Sequence, residues 1–100
     1  TCALPILAGY YMFVAQVQFG SVAYNIQLQL IKNGSVWMYG PYPNVGSGQN
    51  SYNQMSGLMY LNGTGDYAEL WVYQASGSTA TTAANGAGYT YFQGFLARSA

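Results

Sequence analysis

The stretch that decides the fold is Gly9-Tyr10-Tyr11-Met12-Phe13-Val14-Ala15-Gln16-Val17-Gln18-Phe19. In an extended strand alternate side chains point to opposite faces. Tyr11, Phe13, Ala15, Val17 and Phe19 therefore share one face, and Tyr10, Met12, Val14, Gln16 and Gln18 share the other. The first face is apolar throughout, whereas the second is apolar for half its length and then turns to glutamine. This pattern predicts a strand covered on both sides at one end and wetted on one side at the other. In an antiparallel all-β domain one side packs on the facing sheet. The other is left to be covered from outside the domain, most simply by another copy of the chain.

Outward from this stretch, Gly20 and Ser21 close the strand and residues 23–31 open a second. There Tyr24, Ile26, Leu28 and Leu30 alternate with Ala23, Asn25, Gln27 and Gln29, the pattern of a sheet with one face in the core and one in water. Lys32-Asn33-Gly34-Ser35 follows, and Asn-Gly between apolar runs is a strong hairpin signal because both central residues take positive φ. Its partner strand is expected over residues 35–39. Residues 40–50 are rich in Gly, Pro and Asn and form a loop, and residues 51–61 form a strand apolar on both faces, placed beside the first. After the turn Asn62-Gly63-Thr64-Gly65, a strand over residues 66–74 turns Ala68, Leu70 and Val72 inward and Tyr67, Glu69, Trp71 and Tyr73 outward. Residues 75–87 form an Ala/Ser/Thr/Gly-rich surface loop. The last strand, residues 88–97, is again apolar on both sides, with Phe92, Gly94 and Leu96 on one face and Tyr89, Tyr91, Gln93 and Phe95 on the other. First and last strands are thus expected as neighbours in one sheet, with the second strand and the one at residues 66–74 in another.

Residues 1–100 fit a single small domain that association would help to stabilise. Lys32, Asp66, Glu69 and Arg98 are its only charged residues, so amides, hydroxyls and backbone must solvate the surface, and net charge does not oppose self-association. Without a basic patch, nucleic-acid binding lacks its main electrostatic term. No stretch reaches the roughly 18 apolar residues of a spanning helix, and no membrane insertion is expected. Cys2 is the only cysteine, which excludes a disulfide within the chain. A buried thiol or a link to another chain remain. The opening at Thr1, close to a strand, predicts a piece of a longer protein.

Gly9-x-Tyr11-x-Phe13, Lys32-Asn33-Gly34, Gly65-Asp66 followed by Ala68, Leu70 and Val72, and Phe92-x-Gly94-x-Leu96 occur in this order along the chain. Taken together they resemble the complement component-one q globular domain, a jelly roll shared with tumour necrosis factor ligands. The resemblance spans nearly the whole chain. It departs in two respects: the family's first strands would precede Thr1, and the turn from Leu61 to Asp66 is one residue longer than the family's. The resemblance implies an antiparallel two-sheet jelly-roll sandwich that forms trimers, with the first, middle and last strands of this set lining the three-fold axis. By face, the residues expected at that interface are Tyr10, Met12, Tyr89, Tyr91 and Phe95. Burying such rings stabilises by roughly 1.5–3 kcal/mol each before ordering costs.

No enzyme is expected. The chain has no histidine, so it has no imidazole base or ligand. On one strand Asp66 and Glu69 would face opposite ways, which rules out a facing carboxylate pair. Some relatives in the resembling family bind calcium through acidic loops, but this chain offers its loops almost no carboxylate, and no metal or other cofactor is expected. Asn33-Gly34-Ser35 and Asn62-Gly63-Thr64 are formal glycosylation acceptors that coincide with expected turns.

Two functional classes follow. One is a structural and adhesive trimeric head on a fibre or virion surface, as in a bacteriophage. Its partners would be a cell-surface receptor, a glycan or other virion proteins, contacted through Trp37, Tyr39, Tyr42, Trp71 and Tyr73. Exposed rings stack on sugars while amides bond hydroxyls; alternatively these rings fill grooves between protomers or pack beneath loops. The other class is a secreted trimeric ligand of the complement or cytokine kind that binds a protein receptor.

Overall fold

The computed structural model describes residues 2–3, 6–22, 26–42, 49–74 and 90–100. Seven strands run through them: β1 (Cys2–Ala3), β2 (Gly9–Val22), β3 (Ile26–Lys32), β4 (Ser35–Tyr39), β5 (Gln49–Leu61), β6 (Ala68–Gln74) and β7 (Tyr91–Ser99). They pair antiparallel into two sheets, one in the order β5-β2-β7 and the other in the order β1-β6-β3-β4. The protein is therefore all-β among the described residues, in an arrangement compatible with a β-sandwich. As the doubly apolar patterns require, β2 and β7 are neighbours and β5 lies on the other side of β2.

The core forms where the apolar face of β2 meets β3. Ala15, Val17 and Phe19 pack with Ile26 and Leu28, and Phe13 packs with Leu30, Met59, Leu61 and Ala68. Met55 and Phe92 touch both groups and join them into one interior. Phe13 has glycine on each side, Gly57 on β5 and Gly94 on β7. Its ring fills the space left by Gly94, where a Cβ would lie 2.7 Å from two ring carbons, and stacks on Phe92 at 5.5 Å between centroids.

Asn33 and Gly34 take φ of 52° and 83°, and Lys32 pairs with Ser35, so the β3–β4 connection is the two-residue hairpin that Asn-Gly specifies. A second turn, between β5 and β6, carries the chain from one sheet to the other. Asn62 Oδ1 accepts from the backbone N–H groups of Thr64, Gly65 and Asp66, and Asp66 Oδ2 accepts from Asn62 N at 3.0 Å. The two turns are tied together: Asn33 Oδ1 accepts from Tyr67 N, and Asn33 N donates to Tyr67 O.

Several expected boundaries are corrected. Gly20 and Ser21 do not end the first strand, because the register with β5 shifts between Phe19 and Val22 and the strand continues to Val22. Glycine tolerates the irregular backbone of such a bulge. β5 begins at Gln49, two residues before the expected start, since Val22 still finds a partner there. β6 begins at Ala68, because the Asp66 carboxylate is held in the turn, so Asp66 and Glu69 do not share a strand. Val72 faces the core side opposite Leu28 but is 39% exposed, near the end of its strand. The start proposed for the second strand (residues 23–25), the loop residues 43–48 and 75–87 and the first residues of the last strand (88–89) lie outside the described residues, as do the side chains of Cys2 and Tyr89.

Candidate functional site

Two sheet faces turned away from the core carry the candidate residues, and strand register decides which of them meet. On the β5-β2-β7 sheet, Tyr10 lies between Tyr60 and Arg98, Met12 between Leu58 and Phe95, Val14 between Ser56 and Gln93, and Gln16 between Gln54 and Tyr91. Directly paired residues share a face. Tyr10, Met12, Tyr91 and Phe95 of the expected interface are thus brought onto one surface. Tyr89 lies outside the described residues. Leu58 and Phe95 flank Met12 while 44% and 58% exposed, which places aliphatic and aromatic surface at the middle of the sheet. Tyr10 and Tyr60 meet edge to face at 5.4 Å, and the Arg98 guanidinium lies 4.6 Å from the Tyr10 ring centroid. At the other end the Gln54 amide donates to Gln16, so the surface grades from aromatic to polar, but this end is not wetted throughout as expected: Gln18 is buried, its amide donating to Tyr52 Oη at 3.1 Å. A shallow hollow of about 300 Å³ opens toward this polar end, lined by Val14, Ala15, Gln54, Met55, Ser56 and Tyr91.

The outer face of the β1-β6-β3-β4 sheet has a different make-up. Gln29 is flanked by Tyr39 on β4 and Trp71 on β6, and Gln27 pairs with Tyr73. Tyr42 follows β4 and brings its ring to 6.1 Å from that of Tyr73. Tyr39, Tyr42, Trp71 and Tyr73 are therefore gathered around two glutamines and are each about half exposed. The glutamines are joined: Gln29 Nε2 donates to Gln27 Oε1 at 3.4 Å, and Gln27 Nε2 donates to Gly40 O at 3.1 Å. Among the described residues, the one charged side chain paired onto this face is Glu69, one rung beyond Trp71.

Trp37 does not join this group. Its indole N–H donates to Leu58 O at 3.0 Å, linking β4 to the β5 edge of the other sheet, and Lys32 Nζ lies 5.2 Å from its ring. The same ammonium lies 5.6 Å from the Tyr60 ring and 3.8 Å from Asp66 Oδ2. Asp66 is in turn bonded by Asn33 Nδ2 at 2.8 Å. That bond does most to hold its carboxyl below the usual aspartate range. Desolvation opposes it, and the Asn62 N–H and Lys32 reinforce it. The two formal glycosylation acceptors, Asn33 and Asn62, are both pins of this turn network.

Residues that sequence reasoning did not single out complete both faces: Leu58, Tyr60 and Val14 on one, Gln27 and Gln29 on the other. Their alternation was visible, but cross-strand partners depend on register, and one residue of slip exchanges every inward and outward side chain. No protein-family model matches this chain, and no curated protein matches it either.

Proposed function

We propose that this chain is a non-enzymatic trimeric head domain of a fibre or virion surface, a jelly roll of the kind found in the complement component-one q domain. It holds its copies together through the outer face of β5-β2-β7 and turns the outer face of the other sheet to a receptor. The observation that carries this is the register of β2. It places Tyr10, Met12, Tyr91 and Phe95 beside Leu58 and Tyr60 on one surface of one sheet. In the resembling family that surface, built from the corresponding first, middle and last strands, meets the three-fold axis. A row of half-covered rings and aliphatic groups gains by removing apolar area from water, and a chain with no net charge meets no overall repulsion in doing so. The hollow beside Val14 and Ser56 offers a place for a side chain from a neighbouring copy.

The near-absence of charge and the amide- and tyrosine-rich surface support a fibre head, which needs neither a catalytic group nor a metal. The test is Phe95→Glu. Phe95 is 58% exposed in the protomer, so a charge there leaves the fold intact while opposing three like charges near one axis. Native mass spectrometry should show the trimer of the unmodified chain replaced by monomer. An unchanged trimer would remove this face from the interface.

A further inference from the structure

The two outward faces differ at their centres, and the difference identifies what each is built to meet. The β5-β2-β7 face is apolar at its middle, with Met12 between Leu58 and Phe95. Such a centre suits a dry protein contact, whose buried middle is apolar and whose rim is polar. The opposite face reverses this, with amides at the middle (Gln27 and Gln29) and rings around them. A dry protein contact would take the remaining donors and acceptors of those amides out of water without partners.

We infer, as a proposal that rests on the reading of this chain as a receptor-binding head, that the outer face of β6-β3-β4 binds an uncharged saccharide. Tyr39, Trp71, Tyr73 and Tyr42 supply ring faces, and Gln27 and Gln29 supply the hydrogen bonds that fix orientation. A sugar presents an apolar C–H face and an equatorial fringe of hydroxyls, each both donor and acceptor. The face is complementary to both. Tyr39 and Trp71 stand on the strands either side of Gln29, about 10 Å apart at the usual strand spacing, and Tyr73 follows Trp71 two residues along at about 7 Å. That platform is larger than one sugar ring, so the ligand is an oligosaccharide lying across the strands.

The glutamine ladder sets polarity. Gln29 donates to Gln27 and Gln27 donates to Gly40 O, so the chain of amides is anchored on backbone at one end and presents the Gln29 carbonyl oxygen at the other, between Tyr39 and Trp71. An anchored amide is held in place before the ligand arrives, which lowers the entropy lost on binding. Charge narrows the ligand class further. No cation is paired onto the described part of this face, and Glu69 lies one rung from Trp71, so carboxylated or sulfated sugars find no counter-charge and one repelling carboxylate.

The test titrates the whole chain with cellohexaose, maltohexaose and N-acetylchitohexaose, and with sialyllactose and a heparin oligosaccharide as charged probes. The readouts are tryptophan fluorescence and calorimetry, with solution mass measured on the same samples. At least one neutral hexasaccharide should bind and shift the fluorescence, with the charged probes silent. Trp71→Ala should weaken it at least tenfold. Gln29→Leu, which keeps the rings and removes the amide, should weaken it severalfold while circular dichroism stays unchanged. Binding by none of the neutral probes, binding confined to charged ones, or binding indifferent to both substitutions would overturn the proposal. A trimer that binds no saccharide overturns this assignment alone, whereas a monomer that binds one overturns the self-association reading and leaves the ligand assignment standing.

Discussion

Asn33 Nδ2 donates to Asp66 Oδ1 across 2.8 Å, joining the hairpin turn of one sheet to the turn by which the chain crosses from the other. Asn33 also closes two bonds with the backbone of Tyr67, and Lys32 beside it lies 3.8 Å from the same carboxylate. Two short polar motifs far apart in sequence are thus one structural unit, and its behaviour gives the first prediction.

Because these partners hold the Asp66 carboxyl below its ordinary range, the folded state favours the ionised form. The contribution is complete above the unfolded aspartate value of about 3.9 and is lost as pH falls through the depressed folded value. Thermal unfolding of the chain should therefore show a falling midpoint on acidification from about pH 4 downward. Asp66→Asn should lower the midpoint at neutral pH and flatten that fall. A variant with the same acid profile as the unmodified chain would contradict the role given to Asp66.

Asn33 combines a left-handed backbone with three hydrogen bonds of its own to the other turn. Asn33→Ala removes the side-chain bonds and forces an L residue with a Cβ but no compensating amide into positive φ. It should cost roughly 1–2 kcal/mol in denaturant unfolding. Asn33→Gly, which relieves the backbone and loses only the amide, should cost less.

Two glycines flank Phe13, and they should answer differently to the same change. A Cβ at Gly94 would meet the Phe13 ring at 2.7 Å, and the ring is held by its stack on Phe92. Gly94→Ala should therefore destabilise by about 1–3 kcal/mol. At Gly57 the nearest atom is the Met38 sulfur at 2.8 Å, with the terminal methyl at 3.0 Å, and a flexible thioether end moves aside. Gly57→Ala should cost less than Gly94→Ala by the same chemical denaturation, and an inverted order would contradict the packing described for Phe13.

A pair of leucines separates fold from assembly. Leu28 is wholly buried in the core, so Leu28→Ala should lower protomer stability by about 2–5 kcal/mol. Leu58 is 44% exposed on the outer face beside Met12. Leu58→Ala should leave unfolding of the dissociated chain nearly unchanged but raise the concentration at which copies separate, as read by dilution and sedimentation.

Much of this architecture was legible from residue alternation. The pattern at Gly9–Phe19, the Asn33-Gly34 hairpin and the two-sided character of the last strand are enough to set β2 beside β7, to pair β3 with β4 and to put β3 and β6 in the same second sheet, because period-two patterning and turn chemistry are local. What escaped was non-local. In the sequence Gly20 serves equally as a terminator or as a bulge, and only the continued pairing of Val22 with Gln49 decides between them. By residue type alone Trp37 belongs with the other candidate contact aromatics. It sits where the register of β3 and β4 shifts between Leu30 and Ile31, and its indole turns to Leu58 O. Alternation puts Gln27 and Gln29 on the wetted side of β3, where they are half-buried and bonded to each other and to Gly40 O. Their place between Tyr39, Trp71 and Tyr73 became visible only when register set the neighbours.

In the proposed assembly the outer face of β5-β2-β7 is covered by sister copies of the chain. Size-exclusion chromatography with light scattering on the unmodified chain at micromolar concentration tests it most directly. A single species of three times the protomer mass is the expected result; a stable monomer at that concentration, with Phe95 and Leu58 left in water, would contradict it.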